Sequence, residues 1–122
     1  MSNKNYVVYH LHTDLSNGVT NIDSVTKMQM YIDYAKEIGM TSLAFSEHGS
    51  VFSWVKKKQS VEKAGMKYIH AEEFYVTETL SEKIRDNRHV VLIAKNYLGV
   101  LELNRLSSIA FNKNDNHKYY VP

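Results

Sequence analysis

The chain has 122 residues, 43% of them apolar and 23% charged, with a formal charge of +2. That is enough apolar material for one folded domain, and no apolar run reaches the roughly 18 residues that a membrane-spanning helix needs. With no cysteine, disulfides and thiolate metal sites are excluded; the start Met1-Ser2-Asn3-Lys4-Asn5 lacks the apolar stretch of a secretory signal, and a cytoplasmic protein is expected.

Tyr6 to Leu11 is apolar and β-prone and predicts a first strand. A polar turn through Thr13-Asp14-Leu15-Ser16-Asn17-Gly18 follows. Val25, Met28, Ile32 and Ala35 then recur at helical spacing, predicting a helix from Ile22 to Ile38 that stops at Gly39. Ser42-Leu43-Ala44-Phe45 predicts a second strand. Val51 to Ala64 predicts a second helix with Val51, Trp54, Val55 and Val61 on one face, ending before Gly65. Lys56-Lys57-Lys58 on that helix is expected as a solvated basic face. A third strand runs from Lys67 to Val76, and the charged stretch Glu78 to Arg88 predicts a loop or short helix. Val90 to Ala94 is a strongly apolar strand, Asn96 an N-cap, and Val100, Leu103, Leu106 and Ala110 repeat along a helix that fades at Asn112. The tail to Pro122 is polar, then aromatic. Trp54, Met28, Met30, Met40 and Met66 are expected in the core. Strand and helix alternate three times, which predicts an α/β fold with parallel pairing and a site at strand C-terminal ends. No linker or internal repeat is visible, so one folding unit is expected. The interspersed charges lack the electrostatic footprint of a general nucleic-acid binder.

His10-Leu11-His12 closes the first strand, and residues two apart on a strand project to one side, so the two imidazoles would enter one pocket. Glu47 and His48 follow the second strand, and Glu72 and Glu73 lie within the third. His89 opens the fourth strand and reaches the same rim only if that strand runs back antiparallel to the extension Glu73 to Val76, a hairpin we expect. Imidazole and carboxylate without thiolate suit zinc, manganese or iron, and more than four such groups on one rim suggest two or three divalent ions. Closely spaced ions suit hydrolysis of phosphate esters. His70 and His117 are expected as ordinary strand and tail residues.

His10-Leu11-His12-Thr13, Ser46-Glu47-His48-Gly49, Ile69 to Val76 with Glu73, and His89 to Asn96 resemble, in order, the successive motifs of the PHP (polymerase and histidinol phosphatase) family. Within it, His89 to Asn96, Leu103 to Ser108 and Tyr119 to Pro122 are most similar to the N-terminal PHP domain of bacterial or phage DNA polymerase III alpha subunits. The resemblance implies a distorted seven-stranded β/α barrel, present here to about half in a single truncated PHP domain over residues 1–122. It implies metal ligation by His10, His12, His48, Glu73 and His89, and ranks Glu73 above Glu72. Glu47 stands where the family commonly has aspartate and would orient an imidazole by accepting its other N–H. Asn17 replaces the aspartate that usually precedes the glycine of the first motif, and a neutral amide is a poorer ligand.

The implied function is a metal-dependent phosphoesterase or 3′-5′ exonuclease module of a replicative polymerase, incomplete as it stands and weak or inactive in isolation. Its partners would be DNA or a phosphate ester, the rest of a polymerase chain, or a second copy pairing through exposed sheet edges, with no membrane. A stand-alone phosphatase acting on a small monoester such as histidinol phosphate, and a half-barrel structural remnant, are the alternatives.

Overall fold

The computed structural model describes residues 6–18, 23–78, 88–113 and 120–121. Ile22, His117, most of the Glu78 to Arg88 stretch and most of the C-terminal tail lie outside the described residues. The fold is mixed α/β. Its elements are a 3-10 helix at Asp14–Gly18, α1 (Met28–Glu37), β1 (Ser42–Phe45), α2 (Trp54–Lys63), β2 (Lys67–Val76), β3 (Arg88–Ile93), α3 (Tyr97–Lys113) and β4 (Tyr120–Val121).

β2 is the axis of a four-stranded sheet. β1 pairs in parallel with its first half, Ser42 opposite Lys67 and Phe45 opposite His70, with α2 as the crossover. β3 returns antiparallel along its second half, from Ala71 opposite Ile93 to Val76 opposite Arg88, which is the expected hairpin. The tail contributes a strand that the sequence reading missed: β4 runs parallel to β2, with Tyr120 opposite Tyr75.

The first expected strand is an extended segment without a regular ladder. Ala44 N–H donates to the Val8 carbonyl and Ser46 N–H to the Leu11 carbonyl. Three residues on this segment therefore span what two span on β1, and a one-residue excess breaks register in the manner of a bulge. The Leu11 N–H is taken by Ser46 Oγ instead, at 3.0 Å.

The first helix starts later than its spacing predicts. Asp23 and Ser24 N–H groups donate to Asn17 Oδ1, and Thr26 N–H to Ser24 Oγ. Side chains thus hold this stretch out of a helix, and Val25 is exposed rather than packed. Both glycine stops are real: Gly39 (φ +77°) and Gly65 (φ +83°) take the left-handed conformation that ends α1 and α2. Ser53, also left-handed at φ 57°, delays the start of α2 to Trp54.

Ile32, Ala35, Met40, Leu43, Phe45, Val61 and Met66 form one buried cluster between α1, α2 and the sheet. Phe74, Leu103 and Ala110 form a second where α3 crosses β2. Met30 and Val55, expected inside, are exposed. Of the three consecutive lysines, Lys56 and Lys58 are solvated, but Lys57 is buried, because helical spacing places it above Val61 on the inner face. Asn96 caps α3 as expected, accepting the Gly99 N–H at 3.0 Å.

Candidate metal centre

Alternation along β2 puts Glu73 and Tyr75 on one face and Glu72 and Phe74 on the other. Glu73 is 3% exposed, and both of its oxygens meet imidazoles. Oε2 lies 2.5 Å from His10 Nε2 and 3.1 Å from His12 Nε2. Oε1 lies 2.8 Å from His89 Nδ1 and 3.5 Å from His48 Nδ1. The five residues that the sequence reading singled out as ligands are therefore brought together around one carboxylate.

They arrive on four supports. The irregular segment before the 3-10 helix carries His10 and His12, whose Nε2 atoms are 3.0 Å apart. His48 is bridged in parallel to Glu73 just beyond the end of β1, and its ring stacks on His12 at 4.1 Å between centroids. The β2–β3 register sets His89 opposite Tyr75, one step from Glu73 on the same face. His10 and His89 are about half exposed, at 52% and 49%, so the centre opens to solvent between them.

Burial on its own would raise the Glu73 pKa, but hydrogen bonds from His12 and His10 and the neighbouring His48 hold it down at about 2. Burial lowers the His12 pKa, and Glu73 more than reverses this, leaving it raised. For His48, burial and then the neighbouring His12 prevail over Glu73 and Asp23, and its pKa is lowered. The result is an anionic core ringed by nitrogen donors, a donor set that suits borderline divalent cations.

Two residues of this centre were not singled out from the sequence. Asp23 Oδ1 sits 3.4 Å from His48 Nε2, and Tyr75 Oη sits 3.1 Å from His48 Nδ1. Asn17 explains the first. Its amide donates to the Ser24 carbonyl at 2.7 Å and accepts the Asp23 N–H at 2.7 Å. Asn17 thus staples the loop that delivers a carboxylate to the site. Tyr75 was legible only as a residue two positions from Glu73 on a strand.

Glu47 does not meet an imidazole among the described residues. Its carboxylate, 1% exposed, accepts from Thr13 N–H, Thr13 Oγ1, Ser16 Oγ and Lys57 Nζ. Burial pushes the Glu47 pKa up, yet the Lys57 ammonium and the two hydroxyls pull it below the usual carboxylate range. Glu72, on the far face of β2, is fully buried toward α3. Neither of its oxygens closes a hydrogen bond of good geometry among the described residues. Burial raises its pKa to about 8, against a smaller opposing pull from Ser107. His70 is buried away from the centre, with Nε2 donating to Asn104 Oδ1 at 3.0 Å and Nδ1 accepting from Tyr68 Oη at 3.1 Å, a link between β2 and α3.

Among the described residues, three groups of side chains each place ligand atoms within 4.8 Å of one another: His10, His12 and Glu73; His12, Asp23 and His48; and His48, Glu73 and His89.

The chain is similar to curated DNA polymerase III alpha subunits. The protein from Aquifex aeolicus is 32% identical over 130 residues, covering 98% of this chain and 11% of that protein. The Helicobacter pylori protein is 34% identical over 123 residues, covering 98% of this chain and 10% of that protein. That from Borreliella burgdorferi is 32% identical over 112 residues, covering 87% and 9%. The chain thus spans about a tenth of the length of these relatives. Among solved structures, an amidohydrolase from Chromobacterium violaceum with bound sulfate and no metal matches 82% of this chain and 32% of its own, with a TM-score of 0.56 at 16% identity. That likeness concerns the fold. The PHP domain family matches residues 9–122, and with its ordered histidine and glutamate motifs assembled as described, the chain belongs to that family.

Proposed function

We propose that this chain is a PHP-type phosphoesterase module that holds up to three divalent ions and forms part of a replicative DNA polymerase of the alpha-subunit type. In this reading the sheet and its helices are a portion of a distorted β/α barrel, and residues 1–122 belong to a single PHP domain. The observation that carries the reading is the convergence of four imidazoles from three separate segments on one buried, ionised carboxylate.

His10, His12 and Glu73 would hold one ion, and Glu73 with His89 a second. A neutral imidazole has a single lone-pair nitrogen. With His48 Nδ1–H donating to the Tyr75 hydroxyl, His48 Nε2 is left facing Asp23, and that pair would hold a third ion. Asp23 then supplies the carboxylate that Asn17 does not. Zinc, manganese or iron would suit these donors, and when bound they would polarise a phosphoryl oxygen and lower the pKa of bound water. The half-exposed His10 and His89 flank the solvent-open side by which DNA or another phosphate ester would approach. The outer edge of β3, with Val90 and Ile93 exposed, suits the addition of more polypeptide, from the remainder of a polymerase chain or a second copy.

Elemental analysis after loading with manganese, zinc or iron tests the assignment. The parent is expected to retain metal and the His10→Ala/His12→Ala variant to lose at least one ion per chain. Equal stoichiometry in the two would sink it. Turnover of a chromogenic phosphodiester by the isolated chain is expected to be weak.

A further inference from the structure

We propose that the groove between α2, the start of β2 and the start of α3 binds single-stranded nucleic acid, a base against its aromatic wall and the adjoining phosphates on its lysines. The metal-binding reading above is not needed for this, because the groove lies elsewhere on the sheet. His89 stands near the start of β3, beside the metal centre, whereas Ile93 ends that strand at the groove.

The groove has a volume of about 570 Å³, within the roughly 300–1,000 Å³ usual for a site that holds one small ligand or one nucleotide unit. Three elements each bring it an aromatic ring: Trp54 on α2, Tyr68 on β2 and Tyr97 on α3. His70 fixes two of them. It is buried and tied to Asn104 on α3 at 3.0 Å. It also bonds Tyr68 Oη at 3.1 Å and meets the Trp54 ring at 5.2 Å between centroids, the two planes 72° apart. Tyr97, by contrast, is 71% exposed, so little of its ring is used by the fold. Rings held in this way offer stacking faces to an unpaired base of any identity.

Charge selects the ligand. Lys58, Lys67 and Lys95 line the groove, and no carboxylate does. Lys58 is offset by Glu62, whose two oxygens each lie 2.7 Å from its Nζ. Lys67 and Lys95 are exposed and form no ion pair among the described residues. Two uncompensated ammoniums beside three rings match a phosphodiester that carries unpaired bases. An acidic peptide would satisfy the ammoniums and leave the rings without planar partners, and a duplex keeps its bases stacked on one another. The interspersed charges of the sequence conceal this patch, since Lys58, Lys67 and Lys95 meet only in the fold.

The test uses the 122-residue chain in EDTA, which keeps the metal centre out of the outcome. Trp54 is the single tryptophan, so its fluorescence reports from within the groove. A short oligothymidylate is expected to quench it saturably. Two phosphate contacts predict that log K falls against log salt with a slope of about −1.4, and Lys67→Gln or Lys95→Gln should each flatten that slope by about 0.7. Tyr97→Ala, at a position largely in solvent, is expected to weaken binding by about 5–150-fold. Absence of saturable quenching would overturn the proposal, as would parental affinity and salt slope in all three variants. Competition by polyglutamate or by a duplex as strong as that by the single strand would also overturn it, in favour of an acidic peptide or of charge attraction alone.

Discussion

Glu72 and Glu73 are consecutive on β2 and lie on opposite faces of the sheet, one sealed under α3 without a good hydrogen-bond partner among the described residues, the other encircled by imidazoles. The same side chain is held as an acid on one face and as an anion on the other, with pKa values of about 8 and about 2. Exchanging either for glutamine separates the two roles. Glu73→Gln is expected to abolish most metal uptake with little loss of fold, whereas Glu72→Gln keeps metal stoichiometry. Parallel elemental analysis and circular dichroism of both variants check this. Equal metal content in Glu73→Gln and parent would contradict it.

The raised Glu72 pKa also predicts a pH dependence of stability. Between its ordinary value of 4.5 and about 8, the folded state retains a proton that the unfolded state has lost. Stability therefore falls as pH rises across that window, by about 1.4 kcal/mol per unit of pKa difference and several kcal/mol in all. Urea titrations in EDTA from pH 5 to pH 9 are expected to show the decline for the parent and a flatter profile for Glu72→Gln. Identical slopes would remove Glu72 as the cause.

Lys57 and Glu47 form a buried ion pair, and removing one partner strands the other. Lys57→Met is expected to cost about 3–5 kcal/mol, since the Glu47 charge is left uncompensated. Glu47→Gln/Lys57→Met should lose distinctly less than the sum of the single changes, because the pair acts as a unit. Denaturant melts of the four proteins form the double-mutant cycle, and strict additivity would count against the pair.

Asn17 is a staple in this structure, holding Asp23 and Ser24 by both ends of its amide. Asn17→Ala is expected to destabilise by about 0.5–1.5 kcal/mol as these exposed and part-buried hydrogen bonds go unmade. Asn17→Asp, which loses the donor to the Ser24 carbonyl, should fail to add a metal ion, and Asp23→Asn should remove one. Metal counting on these variants checks the order. A gain in stoichiometry for Asn17→Asp would show that position 17, not 23, faces the centre.

Much of the scaffold was written locally. The helical spacing of Ile32 and Ala35, the glycine stops at Gly39 and Gly65 and the Asn96 cap follow from periodicity and turn chemistry, which act over a few residues. The ordered histidine and glutamate motifs pointed to metal before any coordinates. Other features depended on the assembled packing. The contact between His10 and Glu73 joins residues 63 positions apart, and Glu47 reaches Thr13 across 34. The bulge opposite β1, the burial of Lys57 among three lysines, the arrival of Asp23 on the Asn17 staple and the pairing of Tyr120 with β2 are of the same kind. Propensity and spacing specify which way a side chain leaves its own element. Whether it meets solvent, a cation or a carboxylate is settled only by what the rest of the chain packs against that face.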